Sequence, residues 1–208
     1  MNGRPPRSRA IAPGADRRGW LAGVRHVRSP NADARPDASD VTLVVVHGIS
    51  LPPGQFGGDA IFRLFANRLD PDAHPSFSAI AALRVSAHFL IRRDGELVQF
   101  VPCAMRAWHA GASRWKGRER CNDFSIGVEL EGADERPYTA KQYARLAALV
   151  RRLRRDWPIQ DVAGHSDIAP GRKTDPGPAF EWARFRRLLG NPAGPSSRAG
   201  KGDRASRL

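Results

Sequence analysis

Residues 41–46 read VTLVVV, an almost unbroken run of aliphatic and β-branched side chains. Such a run has no polar face to turn toward water, so it suits a strand covered on both sides within an α/β sheet. His47 is expected where that strand stops. The next twelve residues, GISLPPGQFGGD, hold two prolines and four glycines and must form a loop. Asp59 at its end is placed to cap a helix in which Ile61, Leu64 and Phe65 recur at helical spacing. Leu83 to Phe89 and Leu97 to Val101 read as two strands joined through Arg93-Asp94-Gly95, a hairpin signal that makes this part of the sheet antiparallel. The segment SIGVELE, residues 125–131, alternates with period two: Ile126, Val128 and Leu130 face a core, and Gly127, Glu129 and Glu131 an acidic side. Thr139 and Gln142 form a capping box ahead of a helix with the apolar stripe Tyr143, Leu146, Leu149, Val150 and Leu153, ended by Pro158. A last helix is expected around Phe180 to Leu189, anchored by Phe185, Leu188 and Leu189. The fold class read from this order is α/β: a mixed central β-sheet flanked by helices, in one domain over residues 19–190.

The chain has 208 residues, 41% hydrophobic and 26% charged, which excludes collagenous, fibrous and wholly disordered classes. Its longest purely apolar stretches are far below the roughly 20 residues of a membrane span. The first 18 residues lack the apolar segment of a secretory signal, and two cysteines, Cys103 and Cys121, make no disulfide framework. A cytoplasmic protein that does not enter a membrane is expected. The net charge of +13 raises nucleic acid as a partner, but over half of it sits at the two ends. Residues 1–18 and 191–208, rich in Pro, Gly, Ser and Arg, are expected to be disordered basic tails. Much of the remaining charge lies in residues 139–158, off the apolar stripe of their helix, where a solvated basic face accounts for it. Specific nucleic-acid binding is not expected, and the protein is expected to be a monomer.

Four segments combine polar residues with rigid surroundings: VVVHGIS, SIGVELEG, AGHSDIAP and GRKTDPGPAF. His47 and His165 each follow a short apolar segment, and Asp175 lies in a proline-fixed turn ten residues beyond His165. Two imidazoles and one carboxylate form a ligand set for a catalytic zinc that keeps a fourth position open. Taken singly, each histidine fits a hydrogen-bonded structural role as well. Glu129, beside Gly127 on a rigid strand, suits a general base. Lys173, two residues before Asp175, suits oxyanion stabilisation. A salt bridge for Glu129 and a plain surface position for Lys173 are the alternatives.

Longer segments carry a resemblance. HGISLPPGQFGG, LRVSAHFLIRRDGELVQFVP, RAWHAG, GRERCNDFSIGVELEG and GHSDIAPGRKTDPGPAFEWARF resemble the type 2 N-acetylmuramoyl-L-alanine amidases, relatives of the peptidoglycan recognition proteins, and within them the cytosolic 1,6-anhydro type. The resemblance spans residues 19–189. It implies a zinc amidase domain of the peptidoglycan recognition type, with zinc held by His47, His165 and Asp175. It further implies Glu129 as proton acceptor, Lys173 as stabiliser of the transition state, and an anhydro-muropeptide as substrate. Arg84 and Arg120 are similar to positions that grip the stem peptide, with surface ion pairs as the alternative. Trp108 and His109 are candidate walls of a saccharide pocket, although His109, like His88, also fits a buried core histidine. One position departs from the family's H-N-I-S motif: Gly48 follows His47. The third ligand position is Asp175, where phage relatives have cysteine. A binding module of the same fold that recognises muropeptides without cleaving them, a nucleic-acid-binding protein driven by its tails, and a periplasmic amidase are the competing classes.

Overall fold

The computed structural model describes residues 19–190, and the two expected tails lie outside them. Ten strands and four helices follow in the order β1 Arg25–His26, β2 Ala32–Ala34, β3 Leu43–Ile49, α1 Ala60–Phe65, β4 Phe89–Ile91, β5 Leu97–Gln99, β6 Met105–Ala107, β7 Arg114–Trp115, β8 Arg118–Glu119, β9 Ser125–Glu131, α2 Ala140–Asp156, β10 Asp161–Gly164, α3 His165–Ile168 and α4 Trp182–Leu189. Six strands form the central sheet in the order β1-β5-β4-β9-β3-β10. Only the β4–β5 pair is antiparallel; every other neighbouring pair in that sheet is parallel. The mixed sheet and its flanking helices agree with the class read from sequence.

The run from Leu43 to Val46 is buried on both sides, as its composition requires. Val44 and Val46 join Phe89, Ile91, Ile126, Val128 and Leu130 under the stripe of α2 and under Phe185 and Leu189 of α4. On the opposite face two smaller clusters form, one around α1 and Phe100, the other around Phe124 and Ile168. Between them run Ser125, Gly127 and Glu129 of β9, in register with Leu43, Val45 and His47 of β3. The polar chemistry therefore sits on the less covered face of the same two strands whose other face builds the core.

Several expectations need correction. His47 does not end its strand; pairing with β9 continues to Ile49. The stretch from Leu83 to His88 is not strand, because its backbone is spent on irregular bonds such as Ser86 N–H to the Trp108 carbonyl. The acidic side of β9, on which the sequence left burial open, is buried as well. Glu131 is buried and accepts hydrogen bonds from Gly57 N–H, Arg93 N–H and the Arg92 guanidinium. Asp59 precedes α1 without capping it, its carboxylate being paired with Arg63 Nε at 2.7 Å. Leu188 is exposed, and Phe185 and Leu189 anchor α4 together with the half-buried Trp182. The capping box of Thr139 and Gln142 forms as read, a device worth about 1 kcal/mol.

Arg35 was not singled out by sequence, yet it is almost fully buried. Its guanidinium donates to the carbonyls of Cys103, Asn122, Asp123 and Ser125. Beside it His88, also buried, accepts Gly127 N–H at Nδ1, and its Nε2 lies 3.0 Å from both the Met105 carbonyl and Arg35 Nη2. His88 is thus a structural histidine behind the central strand.

Candidate active site

The register of β3 and β9 sets His47 beside Glu129, and because adjacent strands lie about 4.8 Å apart their side chains share one face. His165 opens α3 directly after the edge strand β10, and Asp175 stands in the turn that returns toward it, with Ser166 N–H donating to its carbonyl. His47 Nδ1 and His165 Nδ1 are 3.0 Å apart, and Asp175 Oδ2 lies 3.2 and 3.1 Å from them. Tetrahedral zinc with bonds of about 2.0–2.1 Å wants donors roughly 3.3–3.4 Å apart, close to this triangle. His165 Nε2 lies 3.2 Å from the Ala110 carbonyl, which can only accept, so the proton sits there and Nδ1 presents a lone pair. These three residues are the group able to hold a metal ion among the described residues, and their donor set fits zinc.

A cleft of about 240 Å³ opens over this triangle, lined also by Glu129, Lys173, Trp108, His109 and an apolar wall that includes Leu83 and Phe65. Glu129 is buried, and its Oε2 has no hydrogen-bond partner. Burial pushes its carboxyl well above the usual range, the Asp175 charge adds to this, and Lys173 opposes it. Burial holds His47 down to about 4, although Asp175 favours its proton. The Asp175 carboxylate is held well below its usual range: burial opposes ionisation, and the bonds to His165 and His47 outweigh it.

His109 occupies the space that Gly127 leaves empty; a Cβ on Gly127 would overlap its imidazole. Its Nδ1 lies 3.0 Å from His47 Nε2 and its Nε2 3.2 Å from Ser125 Oγ. Arg84 is exposed next to Leu83 and Val85 of the cleft wall. Arg120 borders a separate depression with Ser113 and Ile168, and pairs with Asp123 at 3.2 Å. The structure therefore brings His47, His165, Asp175, Glu129, Lys173, Trp108 and His109 to one cleft and leaves the two arginines outside its lining. Cys103 and Cys121 are buried free thiols.

The sequence profile of the Amidase_2 family, N-acetylmuramoyl-L-alanine amidase, matches residues 37–178. The chain belongs to the N-acetylmuramoyl-L-alanine amidase family. Among these amidases it is 62% identical over 173 residues to the 1,6-anhydro-N-acetylmuramyl-L-alanine amidase AmpD of Escherichia coli K12, covering 82% of this chain and 94% of that one. The AmpD of Haemophilus influenzae is 48% identical over 81% of this chain and 93% of its own. A crystal structure of an AmpD derivative superposes with a TM-score of 0.81 at 60% identity, covering 84% of this chain and 98% of that one. The amidase AmiD of E. coli, in complex with the substrate anhydro-N-acetylmuramic acid-L-Ala-D-gamma-Glu-L-Lys, matches at 28% identity and a TM-score of 0.54, over 75% of this chain and 60% of that one. No helix among the described residues of this amidase is long and apolar enough to cross a membrane.

Gly48, the departure from the family motif, has a steric reason in this amidase. A Cβ there would stand 2.5 Å from the Tyr138 hydroxyl, which donates to the Pro176 carbonyl at 2.9 Å. Tyr138 also packs where Gly132 has no side chain. The turn carrying Asp175 is thus clamped from both sides, by Ser166 and by Tyr138. Sequence reading missed Tyr138, although its place one residue before the cap Thr139 is where a side chain staples a helix start. Tyr138→Phe should cost about 1–3 kcal/mol by leaving that carbonyl unpaired, measured as a shift in urea midpoint. Gly48→Ala should cost less in the Tyr138→Phe background than in the wild type; equal costs would separate the two residues.

Three buried histidines, His47, His88 and His109, have their protonation suppressed in the metal-free fold, chiefly by burial. In the unfolded chain they take up protons near 6.5, so lowering the pH below that favours unfolding. Glu129, raised in the fold, acts in the opposite sense. Three suppressed histidines against one raised carboxyl predict that the metal-free protein loses stability as the pH falls from 7 to 5, through the range in which an unfolded histidine takes up its proton. Urea titrations across that window check this, and a flat profile would contradict the assignment of neutral histidines.

Proposed function

We propose that this protein is a zinc-dependent amidase that hydrolyses the bond between the lactyl group of 1,6-anhydro-N-acetylmuramic acid and the L-alanine of the stem peptide, in cytoplasmic recycling of cell-wall fragments. The observation that carries the reading is the convergence of His47, His165 and Asp175 beside Glu129 and Lys173 in one cleft of a chain 62% identical to an AmpD. Every one of these side chains comes from a single chain, which supports a monomer as the active form.

His47, His165 and Asp175 would hold zinc, which when bound polarises the scissile carbonyl and lowers the pKa of water to about 7. Glu129 takes the proton of the attacking water at its unpartnered Oε2 and delivers it to the departing alanine nitrogen. Its burial suits this work, because a carboxylate with a raised pKa is a stronger base than one in water. Lys173 brings a positive charge to the same cleft, where it meets the negative charge developing on the carbonyl oxygen. Trp108 and Leu83 offer apolar surface to the sugar. The exposed guanidinium of Arg84 at the rim is available to stem-peptide carboxylates, and Arg120 in the neighbouring depression would reach a longer peptide. The substrate named for the AmiD complex supports a muropeptide of this class.

The test is incubation of the zinc-loaded protein with a defined anhydro-muramoyl tripeptide and, in parallel, with intact sacculi, with and without chelator. Release of free tripeptide from the small fragment, abolished by chelator, is the expected result. Cleavage of sacculi alone would move the enzyme to wall hydrolysis, and binding without cleavage of either would make it a recognition protein.

A further inference from the structure

His47 can offer a cation the lone pair of Nδ1 only if its proton sits on Nε2, and the hydrogen bonds behind it decide that. The chain begins at Ser125, fully buried at the start of β9. A hydroxyl has one proton, and Ser125 Oγ gives it to the Cys121 carbonyl at 2.5 Å. Toward His109 Nε2, 3.2 Å away, Oγ can then only accept, so His109 carries its proton on Nε2. A neutral imidazole has one donor and one acceptor, which makes His109 Nδ1 the acceptor. His47 Nε2, 3.0 Å from that atom, must be the donor, and His47 Nδ1 is left bare toward Asp175 and His165.

The reverse polarity would put a proton on His47 Nδ1, hydrogen-bonded to Asp175, where it would compete with the cation. It requires Ser125 to turn its proton to His109 and give up the 2.5 Å bond to Cys121. The imidazole of His109 is not free to swing away, since it lies flush on Gly127. We propose that Ser125 is a positioning residue which, through His109, fixes the proton of His47 on Nε2 and keeps Nδ1 available for the metal. The proposal rests on the reading of His47 as a metal ligand.

Partners behind a metal ligand are commonly worth about 10–100-fold in metal affinity. Ser125→Ala removes the hydroxyl and frees His109 to take either tautomer; Ser125→Thr keeps it. Long-range proton–nitrogen correlation spectra of the metal-free proteins read the tautomers, and competition of zinc against a chromophoric chelator reads affinity. Expected are Nε2-protonated His47 and His109 in the wild type, a shift of His47 toward the Nδ1 proton in Ser125→Ala with at least tenfold weaker zinc binding, and recovery in Ser125→Thr. A wild-type His109 protonated on Nδ1, or a Ser125→Ala protein with wild-type spectra and affinity, would overturn the proposal. Should the wild type take up no zinc, the metal reading of the site fails, while the wild-type spectra still decide the relay, even if Ser125→Ala does not fold.

Discussion

Glu129→Gln should lower turnover of an anhydro-muramoyl tripeptide by about 10²–10⁴, the range general acid–base catalysis commands, while zinc binding stays within a few-fold of wild type. Glutamine keeps the shape of the side chain but cannot take a proton from water. The substitution has a second expected effect, of opposite sign. Burying the ionised carboxylate is unfavourable, which is what the raised pKa of Glu129 expresses. Neutral glutamine relieves that cost, so the metal-free variant should melt at a higher temperature than the wild type near neutral pH. An inactive and stabilised variant would mark Glu129 as a group kept at the expense of stability. Near-normal turnover would remove it from the mechanism.

Asp175→Ala should abolish useful metal binding. The carboxylate is the single anionic member of the triangle and closes both of its edges to the imidazoles. Its loss leaves two neutral nitrogens 3.0 Å apart with nothing to complete the face. The drop in affinity should exceed the roughly 10–100-fold that partners behind a ligand command, and turnover should fall with it. Zinc titration against a competing chelator checks this, and an unaltered metal content would break the ligand assignment. Because Asp175 sits in a turn clamped by Ser166 and Tyr138, the fold around it should persist, and comparison with Tyr138→Phe separates loss of the ligand from loss of its support.

The elements with strong periodicity were legible in the sequence. The valine run reports a strand covered on both sides, and the alternation of residues 125–131 and the stripe of α2 report which faces meet in the main core; the fold honours all three. Strand ends were not. His47 reads as a terminus because histidine and glycine interrupt the apolar run, yet the ladder with β9 carries the strand to Ile49. Nothing local to Glu131 shows that Gly57, Arg92 and Arg93 will close over it. The cleft residues could be named one by one, whereas their supports could not. Ser125, Tyr138 and the Ala110 carbonyl act across 16, 38 and 55 residues of chain, and no spacing in the sequence announces such bonds.

The pairing of His47 with Glu129 is set by the same ladder that packs Val44 and Val46 beneath α2. A slip of β3 by one position would carry Val44 and Val46 off the layer beneath α2 and drive His47 into it. The aliphatic residues of this strand therefore serve as a gauge for the cleft, and a chain that mispairs them forfeits its stability along with its alignment. For this protein a well-folded but misassembled molecule is hard to make: the population splits into competent copies and unfolded ones, with little between.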